Sequence, residues 1–125
     1  MEVNDASGQV VDAAMRVHSV LGTGPLENAY EACLKHELEK RGLNVEQQVG
    51  LPIIYDDMRM DVGYRLDLLV ESSVIVELKA VDRLTPVHKA QLLSYLKLSG
   101  RKVGLLINFN VAQLKNGIKR MVNEL

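Results

Sequence analysis

From position 64 onward, apolar and polar residues alternate with a period of two. Leu66, Leu68 and Val70 alternate with Arg65, Asp67 and Leu69, and Val74, Val76 and Leu78 alternate with Ile75, Glu77 and Lys79. Glu71-Ser72-Ser73 separates the two runs, so the stretch reads as strand, turn, strand. Upstream the period changes. Val10, Val11, Ala14, Val17, His18 and Leu21 recur at helical spacing and predict a helix over 5–21, capped by Asn4 or Asp5. Gly22-Thr23-Gly24-Pro25 ends it. Pro25 suits a first helical position and Gly42 a stop, predicting a second helix over 25–41. Residues 44–55 carry a strand pattern bent at Gly50-Leu51-Pro52. Asp56-Asp57 is a turn, and Met58 to Val62 begin a strand that Gly63 lets kink into the hairpin. Thr85-Pro86 opens a helix over 86–99 with Leu92, Leu93 and Leu96 inward and His88, Gln91 and Tyr95 on a flanking stripe. Val103 to Phe109 is continuously apolar, as in a strand buried on both faces. Residues 112–123 predict a last amphipathic helix with Leu114, Ile118, Met121 and Val122 inward. The order α-α-β-β-β-α-β-α gives an α/β chain of α+β character, a mixed sheet flanked by helices.

The hairpin carries the first chemical signal. Folded about Ser72, it opposes Asp67 to Glu77 and Arg65 to Lys79. Opposed side chains share a sheet face at roughly 4.5–5.5 Å between Cβ atoms. Two carboxylates so placed repel each other, and a hard divalent cation between them would turn repulsion into attraction. Lys79, two residues past Glu77, shares its face. A plainer reading treats Arg65, Asp67, Glu77 and Lys79 as a solvent-exposed charge lattice with weak diagonal ion pairs.

Composition narrows the class. The 125 residues, 47% hydrophobic, predict a single domain over 1–125 with a real core. A single cysteine, Cys33, excludes an internal disulfide and a thiolate cluster, and reads as a small core residue. No apolar run suits a membrane helix and no signal-like stretch opens the chain, so no membrane partner and a cytoplasmic location are expected. Net charge is −1, yet residues 97–125 hold six Lys/Arg (Lys97, Arg101, Lys102, Lys115, Lys119, Arg120) against Glu124. That basic end reads as a solvated helix face or a phosphate-facing surface. Glu27, at the third helical position if Gly24 is the cap, reads as a capping acid. Tyr30 reads as a packing residue with a wet hydroxyl, and His18 as a satisfied core histidine.

Gly24-Pro25-Leu26-Glu27-Asn28-Ala29-Tyr30 spells a GxxExxY signature. With Tyr64-Arg65-Leu66-Asp67, Val76-Glu77-Leu78-Lys79-Ala80, Leu84-Thr85-Pro86-Val87-His88 and Gln91-Leu92-Leu93-Ser94-Tyr95, the chain resembles the GxxExxY protein family, grouped with the PD-(D/E)xK nuclease-like superfamily. The resemblance runs from about Val10 to Val122, with Leu66 in place of the proline of the superfamily name. It implies a restriction-endonuclease-like αβββαβ core over 25–109 with the first and last helices added. It implies that Asp67, Glu77 and the Leu78 carbonyl hold Mg²⁺ or Mn²⁺, with Glu27 reaching the metal directly or through water. Lys79 would position or deprotonate the attacking water, and Gln91 and Tyr95 would orient Lys79 or a substrate phosphate. The implied activity is hydrolysis of phosphodiester bonds in nucleic acid, DNA favoured, along a groove drawn from the basic C-terminal residues and Lys35, Lys40 or Arg41. The alternative is a catalytically silent interaction or regulatory module on the same fold. A homodimer is compatible with either, but the sequence shows no specific dimer surface.

Overall fold

The computed structural model describes residues 1–123, the Val62 side chain excepted. Helices α1 (Val3–Leu21) and α2 (Glu27–Lys40) precede strands β1 (Val45–Tyr55), β2 (Met58–Val70) and β3 (Val74–Lys79). Helix α3 (Pro86–Ser99), strand β4 (Val103–Asn108), a 3-10 turn at Leu114–Gly117 and strand β5 (Ile118–Val122) follow. The strands form a five-stranded sheet in the order β1-β2-β3-β4-β5. β3 and β4 are parallel and α3 is their crossover; the other neighbours are antiparallel. The αβββαβ succession of a restriction-endonuclease-like core thus runs from α2 to β4, with α1 in front.

Each sheet face has its own core. On one face Val10, Ala14 and Val17 of α1 and Tyr30, Leu34 and Leu38 of α2 pack on Leu68, Val70, Val74, Val76, Leu105 and Ile107. On the other, Leu92, Tyr95 and Leu96 of α3 pack on Leu66, Leu69, Ile75 and Leu106. Strand β4 feeds both cores, which is why its sequence is apolar without alternation. The predicted bend in β1 is a register shift between Leu51 and Ile53. Gly63 faces that bulge, where a Cβ would run into the Leu51 carbonyl oxygen.

Several expectations are corrected. Residues 112–123 form no helix but the 3-10 turn and β5, paired antiparallel with β4 from Val103↔Val122 to Ile107↔Ile118. The outer edge of β4 offers a row of backbone donors and acceptors, and satisfying it outweighs the helical apolar spacing. Glu124, counted in the charge balance, lies outside the described residues. Helix α2 begins at Glu27, leaving Pro25 outside and Leu26 as the cap residue. Cys33 is exposed, because the inward stripe of α2 is Tyr30, Glu31, Leu34 and Leu38. The Tyr30 hydroxyl is dry: it donates to the Gly22 carbonyl at 2.5 Å while the ring stacks on Phe109 at 4.3 Å. Tyr95, not Leu93, completes the core sector of α3. His18 is satisfied as expected, by the Val111 carbonyl at 2.8 Å from Nε2.

Candidate active site

The hairpin register is the one the alternation implies: Leu68↔Val76, Leu69↔Ile75 and Val70↔Val74. The ladder of paired residues stops one step before Asp67 and Glu77, where side chains take over from carbonyls. The Asp67 N–H donates to Glu77 Oε2 at 3.1 Å, and the Leu78 N–H donates to Asp67 Oδ2 at 2.9 Å. The two acids are thereby locked into each other's strands. The Leu78 carbonyl points to the same side as its N–H, toward β2, as in any strand residue.

Asp67 also sits where β2 changes faces. Leu68 and Val70 belong to the α1/α2 core, but Leu66 belongs to the α3 core, against simple alternation. Strand β1 does the same, with Val45 in the first core and Val49 against the second. Between them lies Gln48, in a left-handed conformation with φ 53°. Its side-chain amide donates to both carboxylate oxygens of Glu31, at 3.0 and 3.1 Å, and Gln47 donates to the same group at 2.5 Å. Glu31, buried on α2, thus pins the irregular rung beside Asp67. Sequence reasoning missed Glu31, Gln47 and Gln48. The available signal was an acid on the inward stripe of α2, one turn after Glu27.

Glu77 is only 6% exposed. Burial, then the hydrogen bond to and charge of Asp67, push its carboxyl up to about 9, and Lys79 pulls the other way. The exposed-lattice reading fails on this burial. Neither Arg65–Glu77 nor Asp67–Lys79 is an ion pair among the described residues. Lys79 is half-buried on the same face as Glu77. Glu27 is the first residue of α2 rather than its third, so it closes no capping box. Its Oε1 instead accepts from the Ala80 N–H at 3.3 Å, at the end of β3. Tyr95 is buried, tilted against Tyr64 at 4.9 Å between centroids, and raised to about 12 by burial and by the charges of Glu77 and Asp67. Gln91 is exposed on α3 and makes no hydrogen bond to these acids among the described residues. The structure therefore gathers Asp67, Glu77, Leu78, Lys79 and Tyr95, brings Glu27 to the adjoining backbone and leaves Gln91 outside.

The donors available are carboxylate and carbonyl oxygens, the set preferred by Mg²⁺ and Mn²⁺. A buried Glu77 hydrogen-bonded into a half-buried Asp67, with no ion-pair partner among the described residues, fits such an ion. Among the described residues no three His, Cys, Asp or Glu side chains form a ready cage. Lys35, Lys40 and Arg41, the groove candidates on α2 and just after it, pair with Glu39, Glu37 and Asp12. The basic C-terminal residues do not form one face either, since Lys119 points to the α3 side and Arg120 bonds to Asn4 on the α1 side. No helix among the described residues is long and apolar enough to cross a membrane.

A family model for the PD-(D/E)XK nuclease superfamily matches residues 4–121. No curated protein and no solved structure gives a match.

Proposed function

Because the chain belongs to the PD-(D/E)XK nuclease superfamily, we propose that it is a cytoplasmic nuclease dependent on Mg²⁺ or Mn²⁺ that hydrolyses phosphodiester bonds in DNA. The observation carrying this is the interlocked pair of half-buried Asp67 and buried Glu77 beside Lys79. Asp67, Glu77 and the Leu78 carbonyl would hold the ion, and Glu27 would reach it through water. When bound, the ion supplies Lewis acidity toward water and neutralises charge growing on the phosphate oxygens. Lys79 then orients the attacking water and takes part in moving its proton. Tyr95, kept protonated by its surroundings, offers a hydroxyl donor to a phosphate oxygen. Gln91, exposed on α3, is a further candidate to orient that phosphate. The test is plasmid and single-stranded DNA incubated with Mn²⁺ or Mg²⁺, wild type beside Lys79→Ala. Metal-dependent cleavage by wild type alone is expected; no cleavage by either at high enzyme concentration overturns the reading.

One observation favours the silent module instead: each acid already has an oxygen on a backbone amide, at Leu78, Asp67 and Ala80. On that reading neither wild type nor Lys79→Ala cuts DNA at any concentration of Mn²⁺ or Mg²⁺.

A further inference from the structure

At the C-terminal end of β4 lies a polar cleft of about 320 Å³. Its walls are the β3–α3 loop, the first turns of α3 and the β4–β5 connection. Arg83, Lys89 and Lys119 line it, with Asp82, Asn108 and Asn116. Three features bear on what it could hold.

First, the cations are unspent. Arg83, Lys89 and Lys119 form no ion pair among the described residues, as is true of most cations of the chain, but here three of them line one cleft. Three cations against Asp82 leave the cleft positive on a chain whose net charge is −1. Second, its floor is rigid. Asn108, 1% exposed, bonds both the N–H and the carbonyl of Val81, at 3.0 and 2.9 Å, and so fixes the loop that carries Asp82 and Arg83. Third, its position is set by strand register. Lys79 pairs with Asn108, and Glu77, Leu106 and Lys119 occupy one rung across β3, β4 and β5. Leu106 belongs to the α3 core, so Lys119 shares the sheet face of Glu77. Two strand spacings put it about 10 Å away.

We propose that this cleft is an anion site for a backbone phosphate of the nucleic acid, one or more nucleotides from the phosphate at Asp67 and Glu77. The proposal rests on the nuclease-fold reading for its ligand class, but it does not require that the chain cleave anything. Arg83 supplies a planar fork for two phosphate oxygens, and Lys89 and Lys119 supply point charges from opposite walls. Such contacts hold a strand in register without reading its sequence.

The experiment is titration of a labelled oligonucleotide, with chelator present so that nothing is cut, over a range of salt. The variants are Arg83→Ala/Lys89→Ala/Lys119→Ala and, as an equal change of charge elsewhere, Lys97→Ala/Lys102→Ala/Lys115→Ala. The cleft variant should bind about tenfold or more weakly and lose about one unit of slope in log affinity against log salt, since each phosphate neutralised contributes about 0.7–0.9. Lys119→Arg should keep wild-type binding. Equal weakening by both triple variants, or none by the cleft variant, overturns the proposal. So does inorganic phosphate competing at concentrations where the same ionic strength of chloride does not and with no difference between wild type and cleft variant. Hydrolysis of a small phosphodiester, which reaches the acids without the cleft, separates the two readings. If it is turned over and the cleft variant binds as wild type, the cleft fails alone; if it is not and the variant binds poorly, the nuclease reading fails alone.

Discussion

The two faces of the sheet are built to different ends. The face under α1 and α2 is a broad apolar layer in which even the aromatic hydroxyl of Tyr30 is closed off by a backbone carbonyl. The face under α3 is thinner, and its apolar patch gives way to Asp67, Glu77, Lys79 and Tyr95. Both are made from the same strands, and Ile75 and Val76 are equally buried on opposite sides. What differs is the helix laid over each. Two helices cover the first face fully, whereas α3 leaves the ends of β2 and β3 open. The lesson is that stability and chemistry can be divided between the faces of one sheet. Burying a carboxylate pair is costly, and the apolar layer behind it offsets that cost.

Substitutions can break or sharpen this division. The largest effect should come from Leu34→Ala on the α1/α2 face: a loss of about 2–5 kcal/mol of folding stability in urea, from a side chain with no exposed surface. Activity per folded molecule should be unchanged, so a proportionate loss of both would show that the faces are not separable. Asp67→Asn is the mirror image. It should lower metal-dependent DNA cleavage at least about 100-fold, the upper end of what lesser changes around a metal site cost. Its melting temperature with chelator should stay close to wild type, because the amide oxygen still accepts from the Leu78 N–H. Collapse of the fold in this variant would mean the acid pair is structural.

Glu77→Gln tests the cost of the acid pair. The Glu77 carboxyl is raised from 4.5 to about 9 in the folded protein. A raised carboxyl contributes stability that is fully present below the unfolded value and is lost as pH rises through the folded value. The metal-free protein should therefore weaken between about pH 4.5 and 9. Glu77→Gln should flatten that slope and gain about 1–3 kcal/mol at pH 8, since its amide keeps an acceptor for Asp67 without a charge to bury. A slope unchanged by the substitution would place the strain in another group. The smallest effect is Tyr30→Phe, which keeps the stack on Phe109 and loses the bond to Gly22. About 1 kcal/mol of stability should go, with no change in cleavage.

Much of the site was readable along the chain because it depends on short-range order. Period two placed Asp67 and Glu77 near each other, and Thr85-Pro86 and Gly100 marked the ends of α3. Glu27 was harder. Its spacing from Gly24 allowed a capping acid, and its role turned on where α2 begins, a matter of two residues that local preference leaves open. Glu31 and the two glutamines were invisible, because their bond joins residues 16 and 17 positions apart in elements whose orientation no local pattern gives. Likewise the face switch at Gln48 depends on a left-handed backbone that a glutamine does not advertise.

The C-terminal segment shows the same boundary from the other side. Leu114, Ile118, Met121 and Val122 suit a helix by spacing, but β4 has an edge to be satisfied and β5 satisfies it. The sequence by itself determined which stretches are apolar, where the turns fall, the hairpin register and the identity of the acids. These follow from side-chain periodicity and from backbone preferences acting over a few residues. The tertiary structure decided which sheet face each acid meets, which cations stay unpaired and whether the last segment is helix or strand. Those outcomes depend on hydrogen-bond partners and desolvation supplied by residues distant in the chain.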